Sequence, residues 1–342
     1  MVALPNQPTE RSETVLVHET HRPPAPVLRY IDQVVGTPST GVEFRYSRGV
    51  LTSFDVDVVH VAEPNLDLLL GTRGVSPYQR LLSTLALARN LRKHQIALVR
   101  TYDGYTAPRP KADRLSERVL DRMTSLYITV DPSVSTPAPD RTTVIPHPHY
   151  RDRFVGYPRG EQVQGRMLCI TQGYLPASAR GLLAVARVTS TPGVTLRLAG
   201  RATRTLIRSI RSAVAQHSGI VSARLEHLSD GAQVQEIDGA ELVVVPRIES
   251  MEDLQDVFLA LSLDRPVLAP RTAITARLAD EVGPGWLHLS DGPMTAEDVD
   301  TAFSVLRASD RSDRPNLEGR DLEATHAAYA TAFRAAKRSR KR

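Results

Sequence analysis

Cysteine is nearly absent: Cys169 is the only one in 342 residues. A lone thiol excludes a disulfide within the chain and any zinc site built on cysteines. Its setting, Met167-Leu168-Cys169-Ile170, reads as a small buried hydrophobe. Such sparing use points to a reducing compartment. Aromatic residues make up 5% of the chain, too few to interleave with basic side chains as a base-stacking surface requires, so nucleic acid is not an expected partner. No run of about 18 apolar residues occurs, which leaves no candidate membrane-spanning helix. The opening MVALPNQPTERSE has no basic stretch followed by an apolar one and does not read as a signal peptide. The expected location is the cytoplasm, extending to the inner face of the membrane. Glycine-rich phosphate loops of the G-x-G-x-x-G and G-x-x-x-x-G-K-[ST] types are missing, as is the nucleophile elbow G-x-S-x-G. His147-Pro148-His149 sets two imidazoles about a proline without a nearby carboxylate pair, so it reads as a hinge loop rather than a metal site.

What is present suits a soluble two-domain protein: the length is ample for two cores, and 41% hydrophobic with 24% charged residues is ordinary. The net charge is +5, and five positive charges crowd into the last six residues, Lys337 to Arg342. This run reads as a solvated tail, and functionally as a peripheral contact with anionic lipid.

Short β-branched runs alternate with amphipathic stretches, the pattern of a doubly wound parallel α/β sheet. In the first half the expected strands are Thr14–Val17, Val42–Tyr46, Asp57–Val61, Ile96–Arg100, Leu126–Thr129 and Thr142–Pro146, with helices at Pro77–Lys93 and Ala112–Thr124. Arg151 to Gly165, polar and rich in glycine and proline, reads as a linker. The pattern then restarts, with strands at Met167–Thr171, Val194–Ala199, Ile220–Leu225, Leu242–Val245, Val267–Ala269 and Trp286–Leu289, and a final helix at Leu322–Ala336. The expected division is 1–150, 151–310, and 311–342 for a linker, last helix and basic tail.

In such sheets ligands sit at the carboxyl ends of strands, where helices begin. After Leu242–Val245 come Arg247, Glu249 and Ser250; Ser250 with Asp253 three residues on resembles a capping box opening a helix. His60 and Glu63 end another strand and face either a cleft or only a proline turn. Asp103 follows Ile96–Arg100 and is either a general base or part of an Asp-Gly turn. Gly173 allows close ligand approach, and Arg180, Arg201 and Arg247 place a basic group beyond three strands of the second half, as a diphosphate site requires.

Several of these stretches carry a resemblance. Asp57-Val58-Val59-His60-Val61-Ala62-Glu63-Pro64, Leu98-Val99-Arg100-Thr101-Tyr102-Asp103, and above all Thr143-Val144-Ile145-Pro146-His147-Pro148-His149-Tyr150-Arg151 are similar to motifs of bacterial GT-B glycosyltransferases that build exopolysaccharide, capsule or lipid-linked glycans. Leu198-Ala199-Gly200-Arg201, Ala240 to Pro246 and Ala260 to Pro270 extend the similarity, which spans about Val27 to Leu306.

The resemblance implies two Rossmann-like domains facing a central cleft. A UDP- or GDP-linked sugar would sit in the second and a glycan or polyprenyl-linked acceptor in the first, with no metal or other cofactor. The last helix would cross back to the first domain. Gly173, Arg180, Arg201, Arg247 and Ser250 would hold the donor, and Glu249 its sugar or ribose. Asp103 would be the base of an inverting reaction, with His60, Glu63 and His147 lining the acceptor side. The chain departs from the pattern in several places: the usual histidine is replaced around Tyr102-Asp103, and the usual lysine by Arg180, a change that keeps the charge. Relatives carry a second glutamate where Val257 stands, and Asp256, one residue early, is rotated by about 100° on a helix. The helix start is the acidic Met251-Glu252-Asp253 where relatives are small and neutral. The alternative reading is therefore a catalytically impaired homologue that serves as partner or scaffold of another transferase.

Overall fold

The computed structural model describes residues 14–19, 34–35, 41–46, 55–61, 76–102, 111–171, 176–308 and 311–340. Strands β1 (Val15–Glu19), β2 (Val42–Tyr46), β3 (Val58–Val61), β4 (Ala97–Thr101), β5 (Thr124–Thr129) and β6 (Thr142–Val144) form one sheet in the order β2-β1-β3-β4-β5-β6. Strands β7 (Arg166–Ile170), β8 (Thr195–Ala199), β9 (Val221–Arg224), β10 (Leu242–Val244), β11 (Val267–Pro270) and β12 (Leu287–Ser290) form a second, ordered β12-β11-β10-β7-β8-β9. Every pairing is parallel. Strand order reverses between β1 and β3 in the first sheet and between β7 and β10 in the second. Each reversal opens a crevice at the carboxyl edge. The two Rossmann-like sheets of the GT-B architecture are thus present.

The inner strands read as continuous apolar runs because they are covered on both faces. Val58, Val59, Ala97, Val99, Leu242 and Val243 are all fully buried. Helices α1 (Pro77–Lys93) and α2 (Lys111–Met123) flank the first sheet; α3 (Pro176–Val188), α4 (Arg204–Gln216), α5 (Asp230–Asp238), α6 (Met251–Ser262), α7 (Ala273–Val282) and α8 (Ala296–Ala308) belong to the second. Helix α1 opens on a capping box between Ser76 and Gln79.

Two elements differ from the sequence reading. Helix α7 was not expected. Thr272 and Thr275 form a reciprocal capping box that starts it directly after β11. The last helix, α9 (Leu322–Arg340), runs past Ala336 into the basic run instead of fraying there. Lys337 reaches Asp57 at 3.0 Å, and Arg340 donates to the Ser125 hydroxyl at 3.1 Å and to the Met123 carbonyl. Part of the supposed solvated tail is therefore strapped onto the first sheet, and α9 makes the return crossing that the resemblance implied.

The halves are clasped where the chain leaves β6. The His147 ring stacks on Phe258 of α6 with centroids 4.5 Å apart and planes 5° from parallel. The Tyr150 amide donates to Ser262 at 2.8 Å, and the His149 amide to the Arg320 carbonyl at 2.8 Å. Arg320 donates to the His147 carbonyl at 2.9 Å and to Glu281 at 2.7 Å, with its guanidinium 4.9 Å above the Phe258 ring.

Candidate active site

The crevice of the second sheet is built by three neighbouring strand ends. Strand β7 lies between β10 and β8 and is followed by Thr171, whose amide and hydroxyl both donate to the Ala199 carbonyl at the end of β8. The chain then passes Gly200, with φ +116°, so close to Thr171 that an added Cβ would lie 2.8 Å from the Thr171 carbonyl oxygen. Only glycine fits: the φ is unfavourable for any other residue, and the obstacle is backbone. Gly200→Ala is expected to cost about 1–3 kcal/mol of stability, the scale of one strained backbone position, as measured by urea unfolding; a change below about 0.5 kcal/mol contradicts the close packing. Arg201 follows directly and is exposed.

Beyond β10, Arg247, Glu249 and Ser250 gather as the sequence suggested, but with an added partner. Ser250 is the N-cap of α6, its hydroxyl accepting from the Asp253 amide at 3.2 Å. The Asp253 carboxylate turns back to accept from the Glu249 amide at 2.9 Å, so the capping box is closed one residue earlier than usual. Arg247 lies 3.2 Å from the Glu249 carboxylate and 3.6 Å from that of Asp253. Burial raises the Asp253 pKa above the usual carboxylate value, against the opposing pull of the Glu249 amide and Arg247. Glu249, by contrast, keeps 68% of its side chain exposed. The strand end thus presents one exposed acid, one arginine and a helix N-terminus whose positive end is already faced by a carboxylate. Arg201 after β8 and Arg247 after β10 are the basic groups at these strand ends, and Glu249 is the exposed acid.

Val257 is fully buried in the core, and Asp256 is buried as well; Asp256 lies near enough to Cys169 to help burial drive that thiol far above its ordinary pKa. Asp256 therefore faces β7 rather than the crevice, and the second glutamate has no stand-in there. Arg180 falls within α3, after β7. Asp103, Glu63 and Gly173 lie outside the described residues.

Two acceptor-side expectations are corrected. His60 does not face a cleft: its Nδ1 donates to Glu19 at 2.7 Å and its Nε2 lies 3.0 Å from the Thr101 hydroxyl. The rings of Tyr329 and Phe333 on α9 close over it at 5.8 and 5.4 Å. His60 and Glu19 are both wholly buried. A polar cluster bridging β1, β3 and β4 thus sits at the first switch point, and Glu19 was not singled out from the sequence. His147 likewise belongs to the clasp between halves: it is fully buried, and its Nδ1–H donates to the Pro148 carbonyl at 2.8 Å. Among the described residues no group of His, Cys, Asp or Glu is arranged to hold a metal ion.

No protein-family model matches the chain. It is 29% identical over 313 residues to a GDP-mannose:glycolipid 4-beta-D-mannosyltransferase of Xanthomonas campestris pv. campestris, covering 90% of this chain and 88% of that one. Among solved structures it matches Anabaena HepE in complex with UDP and glucose with a TM-score of 0.55 at 12% identity, covering 93% of this chain and 95% of that one. It also matches the catalytic domain of Arabidopsis thaliana starch synthase IV bound to ADP and acarbose, with a TM-score of 0.53 at 12% identity over 84% and 73%. The structural matches carry the two-domain fold, and the sequence relationship runs through both halves of it. In sequence and in fold the chain is therefore similar to bacterial glycosyltransferases of the GT-B type.

Proposed function

We propose that the protein transfers a mannosyl residue from GDP-mannose to a lipid-linked glycan at the cytoplasmic face of the membrane, in the synthesis of a cell-envelope polysaccharide. The observation that carries this reading is the crevice between β7 and β10. Gly200 lets the end of β8 lie close against Thr171, Arg201 and Arg247 carry positive charge after β8 and β10, and Glu249 stands exposed just before α6. The choice of a guanosine donor and a glycolipid acceptor is supported by the Xanthomonas relative, which is similar over nine-tenths of this chain. Leaving-group charge would be met by fixed arginines, the electrostatic stabilisation expected where no metal takes that part. In this reading Gly173 and Arg180 complete the donor side, Ser250 holds the helix start, and Asp103 with Glu63 faces the acceptor.

GDP at about 100 times its dissociation constant should add ~2.7 kcal/mol of stability, with UDP giving less. Arg180→Ala, Arg201→Ala and Arg247→Ala should each weaken binding by ~1–3 kcal/mol, the scale of a hydrogen bond to a charged group. Thermal unfolding with a panel of nucleotide diphosphates measures both; no stabilisation by any of them sinks the donor assignment.

One feature favours the second reading, a homologue that supports another transferase. Asp253 occupies the α6 N-terminus and shares Arg247 with Glu249, so a diphosphate must compete with two carboxylates. Mannosyl transfer abolished by Glu249→Ala would eliminate that reading. Absence of nucleotide affinity, together with co-purification with an active transferase, would favour it.

A further inference from the structure

Helix α1 carries a stripe that its own domain does not use. Tyr78, Leu82, Leu85, Arg89 and Arg92 recur at spacings of four and three residues and so share one face. All five are exposed, with Tyr78 at 70%, Leu82 at 49% and Leu85 at 47%. The opposite face, with Thr84, Leu87, Ala88 and Leu91, is the one packed on the domain. A helix normally keeps its apolar residues for that packed face; here the outer face is apolar at its N-terminal end and basic at its C-terminal end.

The neighbouring helix extends the same surface. On α2, Leu115, Arg118 and Arg122 are exposed at helical spacing. A groove between α1 and α2 is lined by Leu85, Ala88, Arg89, Arg92, Val119 and Arg122. The charge is one-sided. Helix α1 has no acidic residue, and of the three acidic residues of α2, Asp113, Glu117 and Asp121, the last two are drawn to Arg100 at 3.0 and 2.9 Å. Arg340 feels the resulting field: burial first, then Arg92 and Arg141, push its guanidinium below its ordinary pKa.

An apolar ridge of Tyr and Leu beside arginines that have no acidic partner among the described residues is the arrangement with which a helix lies in a lipid interface. The apolar side chains enter the acyl boundary, and the guanidinium groups meet phosphates. We propose that the face formed by α1 and α2 docks the protein on an anionic phospholipid surface. It does so in place of the C-terminal basic run, two of whose charges, Lys337 and Arg340, are held by the first sheet. The inference deepens the proposed function, whose lipid-linked acceptor lies in such a surface, and it concerns the half that would bind that acceptor.

The test is flotation of the full chain with vesicles of phosphatidylcholine alone or mixed with phosphatidylglycerol. The wild type should float with the anionic vesicles, and added salt should weaken this. Arg89→Gln with Arg92→Gln should weaken partitioning roughly thirtyfold, and Leu82→Gln with Leu85→Gln should also abolish flotation. The charge-matched pair Arg208→Gln with Arg211→Gln, exposed on α4 of the other domain, should float as the wild type does. GDP stabilisation should be unchanged in all of these variants, which separates loss of docking from misfolding and from failure of the donor assignment. Failure of the wild type to float, or equal loss in the Arg208/Arg211 pair, overturns the proposal. So does a dimer in light scattering that the Leu82/Leu85 pair dissolves, since the occupant is then a second copy of the chain.

Discussion

Arg320→Ala is expected to destabilise the protein by about 2–3 kcal/mol, less than the full cost of breaking a buried ion pair, because Glu281 keeps 30% of its side chain exposed. The guanidinium is enclosed between the halves, donating to Glu281 at 2.7 Å and to the His147 carbonyl at 2.9 Å while covering the Phe258 ring. Truncation strands both acceptors at once. Arg320→Lys should recover little of the loss, because an ammonium cannot span a carboxylate and a carbonyl with the planar fork. Urea unfolding followed by both near- and far-ultraviolet circular dichroism measures the effect. A second transition should appear as the halves lose their common cooperativity. A loss below about 1 kcal/mol, with a single transition, would refute the clasp.

The second large effect concerns pH. Burial pushes the His147 imidazole down to about 3, with the nearby Arg320 acting in the same direction and the hydrogen bond to the Pro148 carbonyl opposing both. The sign follows from which state binds the proton. Below about pH 6.5 the unfolded chain protonates this histidine, while the folded protein holds it neutral. The stabilisation is therefore complete above about pH 6.5 and is lost progressively as the pH falls towards about 3. One proton corresponds to about 1.4 kcal/mol per pH unit, so some 2–3 kcal/mol should go between about pH 6 and pH 4 through this group alone. His147→Leu removes the titration, and its stability should decline less steeply by that one proton. Equal slopes for the two proteins contradict the assignment. Arg320→Ala should also raise the His147 pKa, so the two predictions are coupled through one contact.

The strands were legible because their cause is local. A strand covered on both faces must be apolar throughout, and Val58-Val59 or Leu242-Val243-Val244 meets that demand within a few residues. The gathering of Arg247, Glu249 and Ser250 was legible for the same reason: they follow one another at a strand end. What the sequence hid depends on distant partners. His60 looked like a cleft residue because Glu19, 41 residues away, and the rings of α9 cannot be read beside it. The basic run read as a tail because like charges repel, yet Lys337 meets Asp57 and Arg340 finds Met123 and Ser125 far upstream. Helix α7 was missed for a smaller reason, a threonine pair serving as a capping box where glutamate or glutamine is usual at the third position.

The strapping of α9 onto the first sheet has a consequence for how the protein is made. Phe333 and Tyr329 cover His60, and Lys337 answers Asp57, but these residues leave the ribosome only after the whole second sheet. The second half can complete its core as soon as α8 emerges. The first half, although synthesised earlier, waits with the Glu19–His60 pair uncovered until α9 arrives. Vectorial synthesis ordinarily lets an N-terminal domain finish first; here the first-made half is the one whose buried polar pair is covered last.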